Sequence, residues 1–191
     1  MRNHPVSTPV DITPAPYSKE SKSINSPIKM AKSTSDIFMS IKPEHMQNIA
    51  SGSKNHEYRS YLLPSSIKRI WFYTTNPIKR IEYVARISPS KIPGEVPDDG
   101  GIGNAEFNAE LKESKYGYEI LALWRLKMPV SLEKALVEGF LKGAPQKYCW
   151  VSLNFLGRFL LDEQDMLFSR TVDGMQFREQ ERQYDKLDSA S

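Results

Sequence analysis

The chain has 191 residues, 39% of them hydrophobic, with 26 lysines and arginines against 23 aspartates and glutamates and a net charge of +3. That length suits one ordinary domain plus a tail, and the mild basicity, with an isoelectric point near 8.8, permits nucleic-acid binding without demanding it. A single cysteine, Cys149, excludes an intramolecular disulfide and a cysteine-based zinc cluster and fits a reducing compartment.

No stretch approaches the ~20 apolar residues of a membrane-spanning helix, and the N-terminus lacks the apolar core of a secretory signal. No membrane association and an intracellular location, cytoplasm or nucleus, are therefore expected. Residues 1–35 are rich in Ser, Thr, Pro and Lys, with only scattered apolar residues. They cannot bury enough surface to offset ordering entropy and are expected to be disordered. The tail reads first as a solvated segment with no task of its own. The alternative is a regulatory arm with Ser26-Pro27 as a phosphosite, and any protein partner is expected to bind through the tails.

A folded domain is expected over 36–160. Ile37, Phe38, Met39 and Ile41 form a first short strand, and Pro43 opens a short helix striped by Met46, Ile49 and Ala50. Gly52 closes that helix. His56 to Leu62 reads as a strand with Glu57, Arg59 and Tyr61 on one side and His56 and Tyr58 on the other. Ile67 to Thr75 is nearly continuously apolar, as in a strand buried on both faces, and Asn76-Pro77 turns the chain. Ile81, Tyr83, Ala85 and Ile87 alternate with Arg80, Glu82, Val84 and Arg86, the pattern of an amphipathic strand.

Ser88 to Gly103 is a Pro- and Gly-rich loop, long enough to serve as a lid or a tolerated insertion. Its Gly100-Gly101-Ile102-Gly103 lacks the Gly-Lys-Ser/Thr ending of a phosphate loop. A short helix is expected over 104–113, then a long strand from Tyr116 to Leu126 with Tyr118, Ile120, Ala122, Trp124 and Leu126 on one face. Ser131 caps a helix from Leu132 to Phe140, Lys147 to Phe155 returns as a closing strand, and Phe159 to Phe168 forms a last helix. Residues 161–191 as a whole read as a helical or frayed extension. The order suits an α+β barrel better than a doubly wound sheet. Cys149, in an apolar run between Tyr148 and Trp150, reads as a core thiol.

The chemistry concentrates in Gly52-Ser53-Lys54-Asn55-His56-Glu57-Tyr58-Arg59, a G-x-K-x-x-E-x-R string. Glu57 and Arg59 share a strand face, whereas Lys54 has the opposite parity and joins them only through an irregular start to the strand. Such a trio suits an anionic or planar polar ligand: Arg forks onto phosphate or base edges, Lys supplies a point charge, and Glu accepts from an amino edge. Taken alone, a Lys-Glu-Arg run is a solvated face worth about 0–1 kcal/mol per pair. A desolvated Lys54 would instead serve as a base, with Glu57 positioning the substrate, but Glu57 is expected to raise the lysine pKa, which favours binding over catalysis. His4, His45 and His56 are dispersed, so no metal site is expected, and no cofactor is implied.

The order Ser40-Ile41-Lys42-Pro43, helix, G-x-K-x-x-E-x-R, then an aromatic strand from Ile70 to Thr75 ending before Asn76-Pro77 resembles the ASCH domain family over roughly residues 36–155. The resemblance implies a PUA-like β-barrel of about five to six strands with two or three short helices. It also implies an RNA-binding module with a role in transcriptional or RNA-related regulation. Its ligand, RNA or a modified nucleoside, would lie in a cleft lined by Lys54, Glu57 and Arg59, with Ser40, Lys42 and Pro43 as the opposite lip. Tyr73 and Thr75 complete the expected ligand-binding set. A branch of that family hydrolyses N4-acetylcytidine with a lysine, a threonine and a later glutamate. This chain keeps the lysine, Lys54, has Glu57 at the threonine position, and offers Glu82 or Glu119 as the later carboxylate. If the chain is an enzyme, an amidohydrolase or ribonuclease, Lys54 and Glu57 are its expected catalytic residues. A protein-interaction domain that has lost its ligand is the third alternative.

Overall fold

A computed structural model of the chain describes residues 31–170. Residues 1–30 of the expected tail and the extension beyond residue 170 lie outside the described residues, whereas residues 32–35, expected to be disordered, open the first strand. The elements run β1 (Lys32–Ile41), α1 (Pro43–Ala50), β2 (His56–Arg59), β3 (Arg69–Thr74), β4 (Arg80–Lys91), α2 (Asn104–Asn108), β5 (Tyr116–Ser131), α3 (Leu132–Val137), β6 (Cys149–Ser152), α4 (Leu153–Arg158) and β7 (Asp165–Ser169), with a 3-10 turn at Leu161–Glu163.

The architecture is α+β. The seven-stranded sheet has the order β2-β5-β4-β3-β1-β6, and β7 pairs with β5 beyond the end of β2. β1 and β3 are parallel and the other pairs antiparallel. The end strands β2 and β6 do not pair with each other, so the curled sheet is not closed into a hydrogen-bonded ring.

Each face of the sheet carries its own core. Ile37, Met39, Ile70, Phe72, Ile120 and Leu123 pack on one side with Met46 and Ile49 of α1. Phe38, Trp71, Tyr73, Trp124, Val151 and Phe155 pack on the other. The continuous apolar run of β3 thus splits by parity between two cores, as a strand covered on both faces requires. Cys149 is half-buried against the second core, and burial pushes its thiol pKa up.

Two strict alternations expected from the sequence do not hold. On β4, Ile81 and Val84 belong to the second core whereas Ala85 and Ile87 belong to the first. A register shift between Ile81 and Tyr83 changes the parity there, and Glu82 is buried with Arg80 and Arg125 as partners. On β5, Tyr118 and Ile120 face the first core but Ala122, Trp124 and Leu126 the second, across another shift.

The largest difference is at 159–168, where an apolar run reads as a helix and the chain instead forms the 3-10 turn and β7. β5 spans 16 residues, and β2 covers only its first part, through Tyr116–Glu119. β7 takes the pairing positions opposite Ala122 to Arg125, so backbone satisfaction on a long strand outweighs local pattern. Likewise α3 ends at Val137, leaving Leu136 exposed, and Ser152 caps α4 where the closing strand was expected to continue.

Candidate functional site

The charged string is folded by the end of α1. Pro43 occupies the first turn, Met46 and Ile49 bury the inner stripe, and Gly52 adopts φ 82° beyond the helix. The Gly52 N–H returns to the Ile49 carbonyl at 3.0 Å, and the Lys54 N–H donates to the Asn48 carbonyl at 2.9 Å. Lys54 is thereby turned inward just ahead of β2, the irregular start that its parity requires.

Lys54 and Glu57 are 6% and 5% exposed, and Arg59 is half-buried above them. Arg59 Nη2 lies 2.8 Å from Glu57 Oε1 and donates to the Ser40 carbonyl at 2.9 Å. Lys54 Nζ sits 3.8 Å from Glu57 Oε2, longer than a hydrogen bond, and 4.6 Å from the centre of the Tyr58 ring. Glu57 Oε2 and Arg59 Nε are buried with no hydrogen-bond partner. Burial pushes the Lys54 pKa down, with Lys112 and Arg59 adding to it, and outweighs the opposing pull of Glu57. The upward pull expected from Glu57 is present, but the net shift is downward. At this depth, desolvation exceeds the attraction of one carboxylate at 3.8 Å.

Of the other expected residues, Ser40 is brought to the trio through its carbonyl, while its hydroxyl donates to the Pro145 carbonyl at 2.6 Å. Lys42 is exposed and Pro43 half-buried at the start of α1. Thr75 is half-buried, its N–H donating to the Ile41 carbonyl and its carbonyl accepting from Ile78 and Lys79. Tyr73 packs in the second core at 2% exposure, whereas Glu57 pairs across β5 with Tyr118 of the first core. The sheet stands between them. Neither candidate for a later glutamate reaches Lys54: Glu82 holds Arg80 and Arg125, and Glu119 holds Lys91 at 2.7 Å.

The structure adds a partly buried polar network that the sequence did not reveal. Asn55 Nδ2 donates to Asp99 Oδ2 at 2.6 Å, and Asn104 Nδ2 reaches Asn55 Oδ1, Asp99 Oδ1 and the Pro97 carbonyl at 2.9–3.1 Å. The Tyr58 hydroxyl donates to Asn104 Oδ1 at 2.6 Å. Because Asn55 Oδ1 is an acceptor, His56 Nδ1 carries the proton it shares over 2.8 Å, and Nε2 faces Lys91 Nζ at 3.4 Å. Burial first, and Lys91 next, push the His56 pKa down to about 4, so the ring is neutral near pH 7. The Ile102 N–H closes onto the Ser53 carbonyl at 2.8 Å. A Cβ on Gly101 would collide with Asn55 Oδ1, so only glycine allows the loop to approach this closely.

The segment expected as a lid or insertion is thus tied back as a wall beside Lys54, bound to Ser53, Asn55 and the same Tyr58 whose ring lies 4.6 Å from the ammonium. Asn55 and His56 stand at unspecified positions of the motif, and Asp99 and Asn104 lie 44 and 49 residues from Asn55. Only the Gly100-Gly101 pair marks the loop in sequence, and it carries no register. Among the described residues no cluster of three or more His, Cys, Asp or Glu side chains is placed to hold a metal ion. No helix among them is long and apolar enough to cross a membrane.

An open, curled, mixed seven-stranded sheet with short helices and a buried Lys–Glu–Arg cluster at the end of its first helix defines the class. The fold is that of an ASCH domain. A crystal structure of the ASCH protein of Zymomonas mobilis is similar with a TM-score of 0.55 and 18% identity, over 70% of this chain and 98% of that one. A serine-to-alanine variant of the Zymomonas mobilis protein matches with TM-score 0.51, 20% identity and coverage of 70% and 99% of the two chains. A tyrosine-to-phenylalanine variant matches with TM-score 0.51, 18% identity and coverage of 68% and 99%. No family model matches the chain, and no curated protein matches it.

Proposed function

We propose that this ASCH-type module binds single-stranded or modified RNA at the Lys54–Glu57–Arg59 cluster, in the service of transcriptional or other RNA-related regulation. One observation carries this reading: Glu57 Oε2, an acceptor, and Arg59 Nε, a donor, are both buried without hydrogen-bond partners within one ion pair. A buried polar atom left unsatisfied costs about 1–3 kcal/mol. A nucleobase edge offers an amino donor beside a ring-nitrogen or carbonyl acceptor and matches that pair. Arg59 is the outer member, its side chain 21% exposed over a Glu57 side chain at 6%. Binding of a base therefore re-seats Arg59, and Lys54 with Lys112, both near the Tyr58 ring, supports a phosphate.

A second reading, a small hydrolase of an N4-acylated cytidine or of RNA, is favoured by the lowered pKa of Lys54. A lysine that loses its proton more readily is a better base toward an attacking water or hydroxyl. Against it, no second carboxylate among the described residues accompanies Glu57 beside Lys54, since Glu82 and Glu119 are engaged elsewhere. The deciding experiment pairs wild type with Lys54→Ala. Turnover of N4-acetylcytidine is followed alongside anisotropy of a fluorescent single-stranded RNA at two salt concentrations. Salt-sensitive binding weakened by the substitution, without turnover, supports the RNA module. Turnover abolished by the substitution makes Lys54 catalytic and overturns the binding-only role. Neither signal in wild type leaves an interaction domain without a nucleic-acid ligand.

A further inference from the structure

Most large aromatic side chains of the sheet are fully packed: Trp71, Tyr118 and Trp124 are 1%, 2% and 3% exposed. Tyr61, Tyr148 and Trp150 are not. They pack at the margin of the first core and remain half-buried. The Tyr61 and Tyr148 rings lie 6.2 Å apart at 32°, and Trp150 meets Tyr148 edge-on at 6.2 Å and 87°, which fixes the Tyr148 ring from the side. The exposed Lys147 places its ammonium 4.2 Å from the Tyr61 ring centre and 5.8 Å from that of Tyr148. No carboxylate among the described residues pairs with it.

This group is joined to the charged cluster by a short relay. Arg59 donates to the Ser40 carbonyl, the Ser40 hydroxyl donates to the Pro145 carbonyl, and the Tyr61 hydroxyl donates to the Lys147 carbonyl at 3.1 Å. Tyr61 follows Arg59 by two residues and Lys147 follows Pro145 by two. Half-exposed rings beside a cation with no carboxylate partner among the described residues, next to a buried polar cluster that suits a base edge, match a single strand better than a peptide. Bases stack on the rings while the backbone phosphate meets the cation.

We infer that Tyr61, Tyr148 and Lys147 form a second subsite that stacks the neighbouring base of a single-stranded oligonucleotide and holds the intervening phosphate. The inference rests on the RNA-binding function proposed above and adds that the ligand spans at least two nucleotides. The Lys54–Glu57–Arg59 cluster takes one base and the tyrosine pair the next, so a single nucleoside fills only part of the surface.

The test compares titration calorimetry of the full chain with uridine and cytidine monophosphates, the corresponding dinucleotides and hexanucleotides. The variants are Tyr148→Leu, Tyr148→Phe, Lys147→Ala and Arg59→Met. In wild type the dinucleotides are expected to bind more tightly than the mononucleotides. Tyr148→Leu should weaken dinucleotide binding by about 5- to 150-fold, the range for one lost base stack. It should leave mononucleotide binding unchanged, and Tyr148→Phe should restore the difference. Lys147→Ala, at an exposed position where folding is not at stake, should reduce the salt dependence for dinucleotides only. Arg59→Met should weaken mono- and dinucleotides alike. A dinucleotide affinity indifferent to both Tyr148→Leu and Lys147→Ala overturns the second subsite while the RNA-binding function stands. Failure of wild type to bind any of these probes overturns both. Displacement of a bound hexanucleotide by a proline-rich peptide, with the tyrosine variants abolishing peptide binding instead, overturns the nucleotide assignment in favour of a peptide-docking surface.

Discussion

Asn104→Ala should release the wall behind Lys54, with an effect large enough to measure locally. Asn104 is 1% exposed, receives the Tyr58 hydroxyl at 2.6 Å, and sends its amide to Asn55 Oδ1, Asp99 Oδ1 and the Pro97 carbonyl. Net contributions of about 0.5–1.5 kcal/mol per hydrogen bond, discounted because two amide hydrogens serve three acceptors, give a loss of about 3 kcal/mol for opening the 92–104 segment. At 1.4 kcal/mol per factor of ten this is on the order of a hundredfold faster local opening. Hydrogen exchange of the Ile102 amide, bound to the Ser53 carbonyl at 2.8 Å, reads that opening directly. Amides of β3, such as that of Phe72 between β1 and β4, serve as the internal control, since they exchange through global unfolding. Exchange at Ile102 as slow as wild type in Asn104→Ala would refute the wall. Exchange at that amide already near the free-peptide rate in wild type would show a lid instead.

Two further outcomes follow from buried charges. Asp36 is fully buried and accepts from Arg69 Nε at 2.7 Å, Arg69 Nη2 at 3.1 Å, Trp71 Nε1 at 2.9 Å, and the Ser33 and Ser35 hydroxyls. Asp36→Asn, which sets an amide donor against those donors, should cost about 3–5 kcal/mol in urea unfolding, and a loss below about 1 kcal/mol contradicts the geometry. Burial raises the Asp36 pKa, but the bonds and charge of Arg69, with Trp71 and Ser33, bring it below the ordinary 3.8. Its contribution is therefore complete above that value and lost as pH falls through the folded-state pKa, so the gap between wild type and Asp36→Asn should narrow in acid. For His56 the folded pKa of about 4 lies below the ordinary 6.5. Between those values the unfolded chain binds the extra proton, so stability should fall as pH drops from 6.5 toward 4. His56→Gln should flatten that slope, and an unchanged slope would show that the neutral ring is not its source.

Local order along the chain was legible where short-range chemistry sets it. Pro43 and Gly52 mark the two ends of α1, and side-chain parity puts Glu57 and Arg59 on one face with His56 on the other. The central β3 announces burial on both faces because nothing polar interrupts Ile70 to Tyr73. The α+β class followed from the order of such elements, and the motif itself located the charged cluster. What residue type and spacing cannot encode is which partner a strand end or a loop will meet. Register shifts along β4 and β5 sent Ile81 and Trp124 to a different core from the one alternation assigned, and the unpaired backbone of β5 drew 165–169 into a strand. Tyr73 fell on the far side of the sheet from Glu57. The downward shift of the Lys54 pKa comes from depth of burial, which arises only when the chain around α1 and β2 closes over it. The sequence by itself determined the elements and the chemical groups of the site, because dihedral preference and parity act over a few residues. The tertiary structure alone decided the site's electrostatics and its walls, because desolvation and hydrogen bonding there join residues more than forty positions apart.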